Sequence, residues 1–125
     1  MIVARSIAVL GASPIRRKFG NKCVRAYSRL GYHVYPIHPT ETMIEGLPAF
    51  SSILNVPTES IDIASIYLPE AVALKVLPEL AQKQIGQVWF NPGADTPSVL
   101  AEAKRLGLNV VVGCSIVAVG DMPDD

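Results

Sequence analysis

The sequence predicts an α/β fold: a single Rossmann-like, doubly wound parallel sheet of five strands with helices on both faces. Three observations lead there. Short β-branched runs alternate with segments of helical spacing. The runs are apolar without a polar face, as suits strands covered on both sides. Glycines stand where helices hand over to strands: Leu30-Gly31-Tyr32-His33-Val34 and Leu106-Gly107-Leu108-Asn109-Val110 share one layout.

The elements follow in order. Strands are expected over residues 6–10, 33–37, 61–67, 87–90 and 109–112. A helix is expected over 21–30, where Cys23, Ala26, Tyr27 and Leu30 fall at i, i+3, i+4, i+7. A second over 71–84 lines up Val72, Val76, Leu77 and Leu80, and a third over 96–106 lines up Val99, Leu100, Ala103 and Leu106. Thr96-Pro97 reads as N-cap and first helical position. Gly31, Gly86 and Gly107 read as left-handed helix ends. Residues 39–60, with Gly46, Pro48 and Pro57, read as a crossing with one brief helical turn near 50–54. The strand order expected is 3-2-1-4-5, with 2-1-3-4-5 as the alternative.

A chain of 125 residues suits one domain over 1–125 and can bury a real core. Half the residues are hydrophobic and 18% charged, which excludes a disordered chain. Lys+Arg and Asp+Glu are equal at 11, so no nucleic-acid partner is expected. No run approaches the ~20 apolar residues of a membrane span, and the first ten residues lack a signal-peptide pattern. Cys23 and Cys114 form no metal-ligand or CxxC pattern, which fits free thiols in the cytoplasm. Both read as small core residues. Asp121, Asp124 and Asp125 read as a solubilising tail.

The carboxyl end of the first strand carries the chemistry. Gly11-Ala12-Ser13-Pro14 leaves the strand, and a helix opens near Gly20-Asn21. The backbone N–H groups near Gly20, Asn21 and Lys22 are orphan donors that favour an anion. Arg16, Arg17 and Lys18 bring cations beside them. Together these predict a phosphate site and a small-molecule nucleotide as partner. NAD calls for a carboxylate at the end of the second strand. Here that strand ends Ile37-His38-Pro39, and the glycine pattern departs from GxGxxG. His38 suits a ribose phosphate, as in NADP or coenzyme A, or a plain turn before proline.

The run Ile7-Ala8-Val9-Leu10-Gly11-Ala12-Ser13, followed by Gly31-Tyr32-x-Val34-Tyr35-Pro36-Ile37-His38-Pro39, resembles the small stand-alone CoA-binding proteins. These are similar to the CoA-binding domain of succinyl-CoA synthetase α subunits and acyl-CoA synthetases. Gly46 and Pro48, Ile61-Asp62-Ile63-Ala64, Val88-Trp89-Phe90-Asn91-Pro92-Gly93-Ala94 and Gly113-Cys114 extend the resemblance over nearly the whole chain. It implies coenzyme A as cofactor. By the same resemblance Gly11, Ala12 and Ser13 would line the diphosphate, with Pro14, Arg17, Lys18, Phe19, Gly20 and Asn21 completing the loop. His38 and Pro39 would lie near the ribose, and Leu68 and Pro69 would flank the adenine. Lys75 would touch a phosphate or remain a solvated helix residue. Asn91, Pro92, Gly93 and Ala94 would lie along the pantetheine arm. His38 stands where the family usually has Asn, and Asn91 where Gln is common.

No catalytic constellation is legible. His33 and His38 share the second strand region, and the acids are scattered. A non-catalytic binding or regulatory module is therefore expected. The alternatives are an NAD(P)-dependent oxidoreductase, whose substrate domain is missing from this sequence, and a protein-interaction domain. Cys114, after the fifth strand, is a packed residue or a partner for the pantetheine thiol. The apolar stretch 115–119 is expected to pack on the domain or on a second copy in a homodimer.

Overall fold

The structure, a computed structural model, describes residues 5–121. Five parallel strands form the sheet: β1 (Ser6–Leu10), β2 (His33–Ile37), β5 (Ser60–Ile66), β6 (Gln84–Phe90) and β7 (Val110–Val112). Helices α1 (Phe19–Arg29), α2 (Glu70–Gln82) and α3 (Pro97–Arg105) connect them, and a four-residue helix, α4 (Ser115–Ala118), follows β7. The two-residue period of β1 splits the core into two layers. Ala8 and Leu10 pack with Ala64, Ile66, Val88 and Phe90 against Leu77 and Leu80 of α2 and Val99 and Ala103 of α3. Ile7 and Val9 pack with Ile63 against Cys23, Val24 and Tyr27 of α1 and Ile116 of α4.

The spatial order is β2-β1-β5-β6-β7. In strand count this is 2-1-3-4-5, which corrects the expected 3-2-1-4-5. The physical reason lies in β2. The Pro36 carbonyl points away from β1 and accepts from the Phe50 N–H at 2.9 Å. In a parallel ladder a residue's donor and acceptor share one side, so the missing proline N–H faces that same outer side. Proline is tolerated there because β2 is an edge strand. A third strand laid on that side would meet a gap in its ladder. The chain instead crosses back and pairs β5 with β1, in register Ile7↔Ile63 through Leu10↔Ile66.

The crossing itself is richer than one helical turn. It holds a hairpin of β3 (Met43–Ile44) and β4 (Leu47–Pro48), then a 3₁₀ turn at Ile53–Asn55. Glu45 and Gly46 both take positive φ, 50° and 77°, the pairing a tight two-residue hairpin turn demands. Gly31 and Gly107 are left-handed helix ends, φ 84° and 79°. Gly86 is not: it lies inside β6, where a Cβ would stand 2.6 Å from the Asp62 carbonyl oxygen. Thr96 holds the N-cap backbone position of α3 with Pro97 following, but its hydroxyl makes no cap hydrogen bond. The stretch 115–119 packs on the domain through Ile116. Asp121 pairs with Arg29 rather than forming part of a free tail. Asp124 and Asp125 lie outside the described residues.

Candidate functional site

The order 2-1-3-4-5 puts the switch point between β1 and β5, and an open α/β sheet offers its ligand site beyond the strand ends there. The Tyr67 N–H donates to the Leu10 carbonyl at 2.8 Å, which holds the two exits side by side. Above them opens a cleft of about 700 Å³. Gly11, Ala12 and Ser13 enter it from β1, Arg17 and Lys18 from the loop, and Phe19 and Gly20 from the first turn of α1. His38 and Pro39 come from β2, Tyr67, Leu68 and Pro69 from β5, and Pro92, Gly93 and Ala94 from β6.

Two glycines let the backbone close up around the anion site. Gly11 has φ 93°, and a Cβ on it would lie 2.4 Å from the Tyr67 carbonyl oxygen. Gly20 sits in the first turn of α1, where a Cβ would lie 2.0 Å from the Gly11 carbonyl oxygen. The helix therefore meets the strand exit backbone to backbone. Lys22 donates to the Lys18 carbonyl and opens the helical ladder. That leaves the Phe19, Gly20 and Asn21 N–H groups as the orphan donors, one position earlier than the sequence predicts. Arg17 and Lys18 are exposed beside them. Arg16 turns instead to Glu45, 3.5 Å away on the hairpin.

Four expected contacts do not line the cleft. Pro14 is exposed in the loop beside it, and Lys75 is exposed on α2. Asn21 is fully buried: its Nδ2 donates to the Ser13 carbonyl at 2.8 Å and to Glu45 Oε2 at 3.1 Å, and its Oδ1 accepts from Arg25 Nε at 2.7 Å. Its amide shapes the loop and is not offered to a ligand. Asn91 is likewise buried. Its Nδ2 donates to Ser65 Oγ and the Ile66 carbonyl, both at 2.9 Å, and its Oδ1 accepts from the Ser115 N–H at 2.8 Å. Ser13, in the cleft wall, accepts the Ile15 N–H on its hydroxyl at 3.0 Å.

His38 is both a turn residue and a cleft residue. Its Nδ1 accepts the N–H groups of Thr40 and Glu41, at 3.1 and 2.9 Å. This bonding assigns the ring proton to Nε2, a neutral donor. Tyr67 was missed by sequence reasoning, although its place immediately after β5, beside Leu68-Pro69, is a usable signal. Its hydroxyl lies 3.2 Å from Ser115 Oγ, and burial pushes its pKa above the usual phenol range.

Two smaller cavities adjoin the cleft. One, of about 160 Å³, shares Gly11, His38, Pro39 and Leu68 with it and runs between apolar Ile37, Ile53, Val72 and Val76, with Ser52 and Glu79 at its border. The other, of about 240 Å³, shares Phe19, Tyr67 and Pro92 with it and reaches Asn91, Cys114, Ile116 and Val117. Cys114 is half-buried and Cys23 fully buried, its thiol pushed to higher pKa by that burial. No helix among the described residues is long and apolar enough to cross a membrane. Nor does any cluster of three or more His, Cys, Asp or Glu among them suit a metal.

Known proteins resemble this chain in sequence and in fold. The family described as CoA binding domain matches residues 5–120. The ADP-forming acetate–CoA ligase I of Archaeoglobus fulgidus is 33% identical over 88 residues, 70% of this chain and 13% of the ligase. The ADP-forming acetate–CoA ligase of Methanocaldococcus jannaschii is 33% identical over 90 residues, 71% of this chain and 13% of the ligase. The chain thus spans about an eighth of the length of these relatives. Among solved structures, cell-free ID.343 from Thermus thermophilus superposes with a TM-score of 0.84 at 28% identity, over 94% of this chain and 89% of that one. The conserved hypothetical protein Pfu-723267-001 from Pyrococcus furiosus gives 0.80 at 26%, over 93% and 98%.

Proposed function

The chain belongs to the CoA-binding domain family, and from that premise we propose that it binds coenzyme A, free or acylated, in the cleft over β1 and β5 as a non-catalytic binding or regulatory module. One observation carries the reading. The opening turn of α1, with the orphan N–H groups of Phe19 and Gly20, lies in the wall of the same cleft that Arg17 and Lys18 line. A diphosphate finds there backbone donors, the positive end of a helix and two cations. The adenine enters the apolar slot between Leu68, Ile53 and Val72, where Glu79 offers its amino group an acceptor. The pantetheine arm leaves along Pro92-Gly93-Ala94. His38 Nε2 donates to the ribose or its phosphate as a neutral group.

The binding role without catalysis is supported by what lines the cleft. Among the described residues its titratable groups are Arg17, Lys18, His38 and Tyr67, with no carboxylate. Tyr67 is held protonated by burial, and His38 Nδ1 is occupied by two backbone donors. No group is placed to accept a proton from a nucleophile. A cytoplasmic setting, a small-molecule partner without nucleic acid or membrane, and a homodimer as the assembly complete the proposal. The activity of the longer ligases is not required for any of it.

Calorimetric titration with coenzyme A, dephospho-coenzyme A, NAD and NADP tests it. Coenzyme A is expected to bind and to weaken when the 3′-phosphate is removed; binding of NAD alone would sink the reading. Lys18→Ala is expected to weaken coenzyme A by about 1.5–3 kcal/mol, the worth of a charge-assisted hydrogen bond. An unchanged affinity excludes Lys18 from the phosphate contact.

A further inference from the structure

The cavity beside α4 is apolar in a particular way. Phe19, Tyr67, Pro92, Cys114, Ile116 and Val117 form most of its wall. The polar groups that border it are already engaged with one another. Both polar atoms of the Asn91 amide are held by Ser65, Ile66 and Ser115, and the Tyr67 hydroxyl faces Ser115 Oγ. Among the described residues no carboxylate, imidazole, ammonium or guanidinium lines it. A charged or hydroxylated group placed there would lose its water without finding a free partner, whereas an alkyl group would gain. The cavity adjoins the cleft, the two sharing Phe19, Tyr67 and Pro92 as lining. Phe19 and Val117, each 55% exposed, leave apolar surface uncovered at its mouth.

We propose that this cavity receives the acyl group of a short-chain acyl thioester of coenzyme A, so that the protein distinguishes the acylated from the free ligand. The proposal rests on the coenzyme A reading of the cleft. An arm running along the Pro92-Gly93 turn ends beside the shared wall, and its sulfur carries whatever group enters. A volume of about 240 Å³ holds a short acyl chain, with an upper limit of about eight carbons by comparison with the ~150 Å³ that takes a benzene, and not a fatty tail. Among the described residues the lining holds no carboxylate or imidazole to activate the Cys114 thiol in its wall against the thioester, so the cavity senses the acyl group rather than cleaving it.

Calorimetry with free, acetyl-, butyryl- and palmitoyl-coenzyme A tests this on the unmodified protein, so no variant need fold. Affinity is expected to rise from acetyl to butyryl by roughly fourfold per methylene, the equivalent of ~0.8 kcal/mol each, and to gain far less per methylene from there to palmitoyl, whose chain outruns the cavity. Val117→Trp, which fills the mouth, is expected to bring the butyryl-to-free affinity ratio close to one. Equal affinity for all four ligands overturns the acyl cavity and leaves the cleft reading standing. Failure of free coenzyme A and every thioester to bind overturns both.

Discussion

Gly20 is where the first helix touches the exit of the first strand, and a hydrogen in place of a side chain is what permits the contact. A Cβ there would stand 2.0 Å from a backbone oxygen that has no rotamer to escape into. Gly20→Ala is therefore expected to destabilise by about 3 kcal/mol, the upper range for overpacking, read as a lowered urea midpoint. A variant as stable as the parent would mean the strand exit moves freely. At this scale the sequence was informative wherever a residue type has one strong use. Gly11, Ser13 and Lys18 stand in the cleft wall as their spacing predicts. Asn21 and Asn91 stand behind the cleft wall, not in it, for one common reason. An amide serves equally well to bind a ligand or to tie two segments together, and its partners Glu45 and Ser115 lie 24 residues along the chain from each of them.

Among the elements, α4 depends most on its surroundings. Four residues are too few to stand as a helix alone, and Ser115 holds it down. The Ser115 N–H reaches Asn91, its hydroxyl lies 2.8 Å from Ser65 Oγ, and its carbonyl accepts the Tyr27 hydroxyl at 2.7 Å. The network joins α1, β5, the end of β6 and α4. Removing Asn91 leaves buried donors and acceptors without partners, each worth ~1–3 kcal/mol. Asn91→Ala is expected to cost about 3 kcal/mol in chemical denaturation and to free α4; a loss below ~0.5 kcal/mol would show the network to be slack. The three longer helices were legible from their apolar spacing to within two residues at each end. The hairpin of β3 and β4 was not. Two-residue strands carry no period, and the one signal was the Glu45-Gly46 pair at its turn.

Across the whole molecule, burial sets the response to alkaline pH. Cys23, whose ordinary pKa is 9.0, and Tyr27 and Tyr67, ordinarily 10.0, are all pushed upward, chiefly by desolvation. The folded protein keeps these protons while the unfolded chain releases them above about pH 9. Their contribution to stability is complete below that pH and is lost as pH rises through it. Urea midpoints measured from pH 7 to 11 are expected to decline above pH 9, by up to ~1.4 kcal/mol per pH unit for each group that ionises only on unfolding. A flat profile would mean the thiol and phenols ionise in the native state.

By itself the sequence determined the repertoire: five apolar strands, three long helices and a Gly-Ala-Ser exit with cations nearby. These are local matters of periodicity, branching and glycine placement, and each is settled by residues a few positions apart. The strand order belonged to the tertiary structure, although Pro36 carried a hint that β2 must be an edge. So did the fate of each polar side chain near the site, and the joining of the cleft to its two side cavities. Such outcomes depend on which distant segments meet, and an amide or a hydroxyl has no preference until its neighbours are in place.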